Sequence, residues 1–141
     1  TRHSYKATSL ILVNSIYPTR VADALLAKAK TGNGHAADFI IKYGLYKRLL
    51  GIKNAFSEKD DLVMLDDLEA CNSYQLDLTE IKSLEIPISI ILGSKDKLVD
   101  LKAVDSFANV VPSKIHTIDE VGHFPFFEDP GELSKLISSI V

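Results

Sequence analysis

Two polar side chains sit where a parallel sheet would place chemistry. Asp96 lies in "LGSKDKLVD", directly after the apolar run "IPISIIL" (86 to 92). His123 lies in "DEVGHFPFFEDP", after the shorter run "SKIHTI" (113 to 118). In open α/β sheets ligands bind outside the carboxyl ends of the strands, and neighbouring parallel strands would bring these two loops together. An imidazole, with an ordinary pKa of about 6.5, takes and returns a proton near neutrality. An aspartate held against it fixes the tautomer and stabilises the imidazolium that forms. Asp96 and His123 are therefore the candidate orienting acid and general base.

Other polar groups offer less. Asp60, Asp61, Asp66, Asp67 and Glu69 cluster without a histidine or an organised loop, which reads as a solvated helix face rather than a metal site. His3, His35 and His116 have no partners at useful spacing and read as structural. Cys71 reads as buried packing, and Phe39, Tyr43, Tyr46 and Phe56 as aromatic packing between helices. No glycine-rich phosphate loop follows a strand, which argues against a nucleotide site. Tyr17, Val99 and Phe124, beside the strand ends, are candidate pocket-lining residues, with simple packing as the competing role.

The elements that position these residues follow from periodicity. "SLILVN" (9 to 14) and "IPISIIL" are continuous apolar runs, expected for strands buried on both faces. Pro18 closes the first, since it cannot donate to a ladder. Between them, "TRVADALLAKAK" predicts a helix with Thr19 as N-cap and Val21, Ala24, Leu25 and Ala29 on one face. "HAADFIIKYGLYKRLLG" predicts a second, with Ala36, Phe39, Ile40, Tyr43, Tyr46 and Leu50 sharing a face. A third is expected from Ser57, weakly boxed by Asp60 and carrying Leu62, Leu65 and Leu68. "DLKAVDSFANVV" (100 to 111) predicts a helix with Leu101, Val104, Ala108 and Val111 inward. "DPGELSKLISSIV" predicts a last one, with Asp129 as N-cap, Pro130 at N1 and Glu132 completing a capping box. "FPFF" (124 to 127) is expected to pack the histidine loop against sheet and helices.

The alternation of strand and helix in the second half argues an α/β fold with a parallel sheet. The helical stretch at about 19–80 reads as an insertion above it. Three strands make a poor parallel sheet, and the first would present an open edge that native proteins avoid. Composition is ordinary: 141 residues, 46% hydrophobic, 25% charged, net charge −3. That offers no basic face for nucleic acid and no polybasic membrane patch. No apolar run reaches the roughly 18 residues of a membrane span. A single cysteine rules out an internal disulfide framework and points to a reducing compartment such as the cytoplasm.

"IPISIILGSKDKLVD" followed by "VVPSKIHTIDEVGHFPFFEDPGEL" resembles the C-terminal half of the α/β-hydrolase fold. In that family the acid follows a strand in a G-x-x-D turn, here Gly93 to Asp96. The catalytic histidine follows the last strand in a G-H turn, here Gly122-His123. "DLEACNSYQL" (67 to 76) is similar to the segment that returns from the helical cap to the sheet in small esterase-like members. The resemblance implies three parallel strands, flanking helices and a helical cap at about 19–80. It further implies hydrolysis of a carboxylic ester or related acyl bond in a small-molecule substrate, with His123 deprotonating a nucleophile and Asp96 orienting it. Water completes such a turnover, so no cofactor and no metal is implied.

The family's nucleophile elbow, G-x-S-x-G after an earlier strand, does not occur here. Ser15 lacks the flanking glycines, and "GSKD" (93 to 96) has the wrong spacing. The resemblance therefore implies that these residues are the C-terminal part of a longer hydrolase. Its N-terminal half, in the same gene product or another chain, would carry the nucleophile and cover the open edge, and this segment alone would be inactive. Two alternatives stand beside the serine reading. One is an aspartate nucleophile, as in dehalogenases and epoxide hydrolases of this fold. The other is a non-catalytic half-protein or binding module that pairs with another chain. Some dehalogenases place the acid after the first strand, where this sequence has Asn14-Ser15, so Asp96 is the better acid.

Overall fold

Six consecutive buried residues, Ile88 to Gly93, form the middle strand of a three-stranded parallel sheet. The computed structural model describes residues 7–32, 35–49, 52 and 61–141. The strands β1 (Leu10–Val13), β2 (Ile88–Gly93) and β3 (Lys114–Ile118) lie in the order β1-β2-β3, with Leu10 opposite Ile88 and Ile90 opposite Ile115. The helices are α1 (Asp23–Thr31), α2 (His35–Gly44), α3 (Asp61–Ser73), α4 (Leu78–Lys82), α5 (Leu101–Val110), α6 (Pro125–Glu128) and α7 (Pro130–Ile140).

Side chains alternate along a strand, so β2 feeds two cores. Ile88, Ile90 and Leu92 meet Ala103, Val104 and Phe107 of α5, with Ile16 and Val111 beside them. Ile91 points the other way, to Ile118, Val121 and Leu133 of α7, against which Leu136, Ile137 and Ile140 also pack. Ile90 and Ile91 are wholly buried. Burying each such side chain stabilises the fold by roughly 1.5–3 kcal/mol. The strand is thus locked between two helical layers, which fixes the point at which the Asp96 turn leaves it.

A third core lies among the helices between β1 and β2. Leu25 and Ala29 of α1, Ala36 and Ala37 of α2 and Met64 of α3 are buried together, flanked by Phe39, Ile40, Leu65 and Leu68. The alanines let the helix backbones approach closely.

Several sequence expectations are corrected. The residues of β1 are only half-buried, because this strand has a neighbour on one side alone. α1 starts at Asp23 after Ala22, not behind Thr19, whose hydroxyl donates to the Ile16 carbonyl instead; Ala24 faces solvent. α2 stops at Gly44 rather than near Leu50, because the backbone beyond it is recruited by Glu128. Tyr46 is accordingly exposed, its ring 5.8 Å from the Lys95 ammonium. Cys71 is exposed: the inward face of α3 runs through Met64, Leu65 and Leu68, and beside Cys71 the exposed Asn72 accepts the Val21 N–H on its side-chain oxygen at 3.3 Å. Phe126 and Phe127 are exposed as well, because the turn of α6 points Pro125 and Glu128 inward at i and i+3. His3, Leu50, Phe56, and the Ser57 and Asp60 box lie outside the described residues, as does the side chain of Leu62.

Candidate active site

Asp96 and His123 meet at the carboxyl ends of β2 and β3. His123 Nδ1 lies 2.8 Å from Asp96 Oδ2. The carboxylate is 5% exposed and the imidazole 26%, so the acid is enclosed while the ring keeps an accessible side. The other carboxylate oxygen, Oδ1, accepts the backbone N–H groups of Leu98 at 2.7 Å and Val99 at 3.2 Å. Asp96 therefore cannot rotate without breaking its own turn. An ionised carboxylate only accepts, so in the neutral ring Nδ1 carries the proton and Nε2 presents its lone pair. That is the tautomer a general base needs.

The histidine turn is held from three sides. Its peptide carbonyl, that of Gly122, accepts from Asn14 Nδ2 at 2.8 Å. The His123 N–H donates to the Gly44 carbonyl at 2.6 Å. The Gly122 N–H donates to Glu128 Oε1 at 3.0 Å. The second oxygen of Glu128 accepts the N–H groups of Tyr46 at 2.9 Å and Lys47 at 2.8 Å. One buried carboxylate thus satisfies three backbone donors and joins the end of α2 to the His123 turn. Leaving such donors unpaired costs about 1–3 kcal/mol each when buried.

Glycine is required where these segments touch. A Cβ on Gly93 would run into the carbonyls of Val121 and Gly122, and one on Gly122 into the Gly44 carbonyl. Charges around the turns add to the clamp. Hydrogen bonds from the Ser94 hydroxyl and the Glu120 N–H hold the Asp119 carboxyl below its usual range and tie the turn after β2 to that after β3. The Glu132 N–H, then the Lys47 ammonium, do the same for Asp129. Asp129 caps α7 as expected, but the capping box is one-sided: the Asp129 N–H is already donated to Pro125, and Glu132 reaches Lys135 instead.

The remaining candidates separate. The Phe124 ring stands edge-on to the His123 ring at 5.0 Å. Tyr17 packs on the α5-side core and meets Tyr74 edge-on at 6.1 Å. Val99 packs on the same core and serves Asp96 through its backbone. A cavity of about 440 Å³ beside β3 and α7, lined by His116, Asp119, Asp129 and Glu132 among others, includes neither Asp96 nor His123. His35 is exposed and His116 half-buried. Among the acidic residues of α3, Asp66, Asp67 and Glu69 are exposed, and Glu69 pairs with Lys30 at 3.6 Å. No helix among the described residues is long and apolar enough to cross a membrane.

The sequence marks Asn14 only as lacking an acid after the first strand, and gives neither its bridging role nor that of Glu128. The one available signal for Asn14 was an amide closing an otherwise apolar run. For Glu128 it was an acid three residues after Pro125 within an aromatic turn.

No family model matches the chain. Among curated proteins it is similar to epoxide hydrolase EphH of Mycobacterium tuberculosis, 29% identical over 97 residues, covering 60% of this chain and 45% of that protein. Among solved structures it is similar to an esterase from Exiguobacterium antarcticum, with a TM-score of 0.78 and 14% identity over 99% of this chain and 59% of the other. A thermophilic esterase gives 0.75 at 20% identity, covering 94% and 55%. The enol-lactonase from Burkholderia xenovorans gives 0.74 at 17%, covering 98% and 57%. The chain thus spans about half the length of the relatives it matches. Its three parallel strands and their flanking helices are a portion of the α/β-hydrolase fold.

Proposed function

We propose that this chain is the acid- and base-bearing part of a hydrolase that cleaves a carboxylic ester or related acyl bond. The observation that carries the reading is the 2.8 Å contact between Asp96 and His123, with the far oxygen of Asp96 tied into its own turn. Structures named as esterases and an enol-lactonase share the fold and support the acyl class. A serine supplied by sequence outside this chain attacks the acyl carbon while His123 Nε2 takes its proton. Asp96 stabilises the imidazolium, which then protonates the leaving alkoxide. Water, deprotonated by the same ring, releases the acid and regenerates the serine. The helices between β1 and β2 act as the cap over the site, with Phe124 as the wall beside the base.

The epoxide hydrolase relative favours a second reading, in which an aspartate attacks the substrate and His123 activates the water that cleaves the resulting ester. One experiment separates the two. A fluorophosphonate probe applied to the protein with its nucleophile-bearing segment labels a serine in the first case. In the second it labels none, and a single turnover in H₂¹⁸O with an epoxide leaves ¹⁸O in an aspartate. Absence of both labels, with turnover intact in His123→Ala, overturns the reading.

A further inference from the structure

Two backbone groups in the turns of the site, the Gly93 N–H and the Gly122 carbonyl, converge on one residue outside it. Asn14 follows β1, is 4% exposed, and adopts a left-handed backbone with φ of 42°. Its own N–H continues the ladder to the Ile91 carbonyl at 2.8 Å. Its side-chain carbonyl accepts the Gly93 N–H at 2.8 Å, and its amide nitrogen donates to the Gly122 carbonyl at 2.8 Å. Gly93 opens the Asp96 turn, and the Asp96 N–H returns to the Gly93 carbonyl at 3.1 Å. Gly122 shares its peptide bond with His123. One planar amide, using both its donor and its acceptor, therefore spans the two turns that carry the acid and the base.

We propose that Asn14 is a positioning residue that sets the separation of Asp96 from His123. The proposal rests on the reading of His123 as base, and goes beyond it. The polarity of the amide matters because it must accept on the β2 side and donate on the β3 side. Aspartate has the same shape but offers only acceptors when ionised, so it meets the Gly122 carbonyl with like charge. The requirement for a left-handed backbone also explains why asparagine fits: Asn, Asp and Gly adopt it readily. Both side-chain hydrogen bonds of Asn14 go to backbone groups, the Gly93 N–H and the Gly122 carbonyl, so its influence passes through the backbone of the two turns.

The test compares Asn14→Asp, which keeps shape and reverses the donor, with Asn14→Gly, which keeps the backbone freedom and deletes the amide. Both are made in the protein with its nucleophile-bearing segment and assayed with p-nitrophenyl butyrate. The expected result is a kcat at least tenfold lower with KM within twofold of the parent. Nitrogen NMR of the His123 ring should show loss of the Nδ1-protonated tautomer that the Asp96 contact selects. A thermal shift with unchanged kcat and an unchanged His123 tautomer overturns the proposal. Should the parent show no esterase activity, the acyl-hydrolase reading fails by itself. The ring tautomer still decides: retained Nδ1–H in both variants overturns the role of Asn14, and its loss supports it.

Discussion

The backbone N–H of His123 donates to the carbonyl of Gly44, the last residue of α2. His123 is therefore docked onto the helical segment as well as onto the sheet. Gly122 lies in this joint, and a Cβ there would reach Glu128 Oε1 and the Tyr46 nitrogen at 2.8 Å, besides overlapping the Gly44 carbonyl. Because the neighbours are mostly backbone, they cannot yield without moving the turn. Gly122→Ala is expected to remove turnover and to lower the melting temperature, read by an ester assay and by circular dichroism.

Glu128 should prove more sensitive than its distance from the reacting groups suggests. Glu128→Ala strands the N–H groups of Gly122, Tyr46 and Lys47. The expected loss of stability is about 3 kcal/mol, the cost of donors left partly buried without acceptors. Glu128→Gln keeps one acceptor but turns an NH₂ group toward a backbone donor, so it should fall between parent and alanine variant. Urea unfolding of the three proteins checks the order.

For the reaction itself, His123→Ala should reduce kcat by at least four orders of magnitude, as loss of the base does in acyl transfer. Asp96→Asn should cost on the order of 10³–10⁴, because the amide favours the wrong ring tautomer. The segment of 141 residues alone should show no saturable esterase activity, and purified protein at several concentrations checks this.

Ile90 is wholly buried in the middle strand, between β1 and β3 and against α5. Ile90→Ala should destabilise the fold by about 2–5 kcal/mol through lost burial and the cavity left behind. Ile115, across the β2–β3 ladder but 47% exposed, should tolerate the same change within about 1 kcal/mol. Parallel denaturation curves give both numbers.

Asp129 gives a pH signature. Its carboxyl titrates below the usual range because the Glu132 N–H and then the Lys47 ammonium favour the ionised form. A folded-state pKa below the unfolded one contributes stability above the unfolded value, lost as pH falls through the folded value. The melting temperature should therefore drop on acidification below about pH 4, the ordinary carboxylate range. Asp129→Asn, which can still cap α7, should show a shallower drop over that window.

What could be read from residue types was the part governed by local pattern. The unbroken apolar run of β2 and the Asp129-Pro130 start of α7 each announce their structure within a few residues, whereas α5 turns Ala103, Val104 and Phe107 inward and leaves Leu101, expected inward, 66% exposed. The Asp96 and His123 turns were legible because each follows such a run. Glu128 and Asn14 were not, since their partners lie 6 to 82 and 79 to 108 residues away. A side chain bonded to remote backbone leaves no periodic trace. The early end of α2 has the same origin: Leu45 to Leu49 continue a helical pattern, but the Tyr46 and Lys47 N–H groups are spent on Glu128.

The double attachment of Glu128 also sets rules for remodelling. Residues 44–47 act as a fixed anchor, because their carbonyl and N–H groups are counted out against the His123 turn. Insertions or deletions meant to reshape the helical segment should therefore begin after Lys47. A one-residue change of length before that point would shift the anchor and carry His123 with it. Libraries built on either side of this boundary should differ sharply in the fraction of active members.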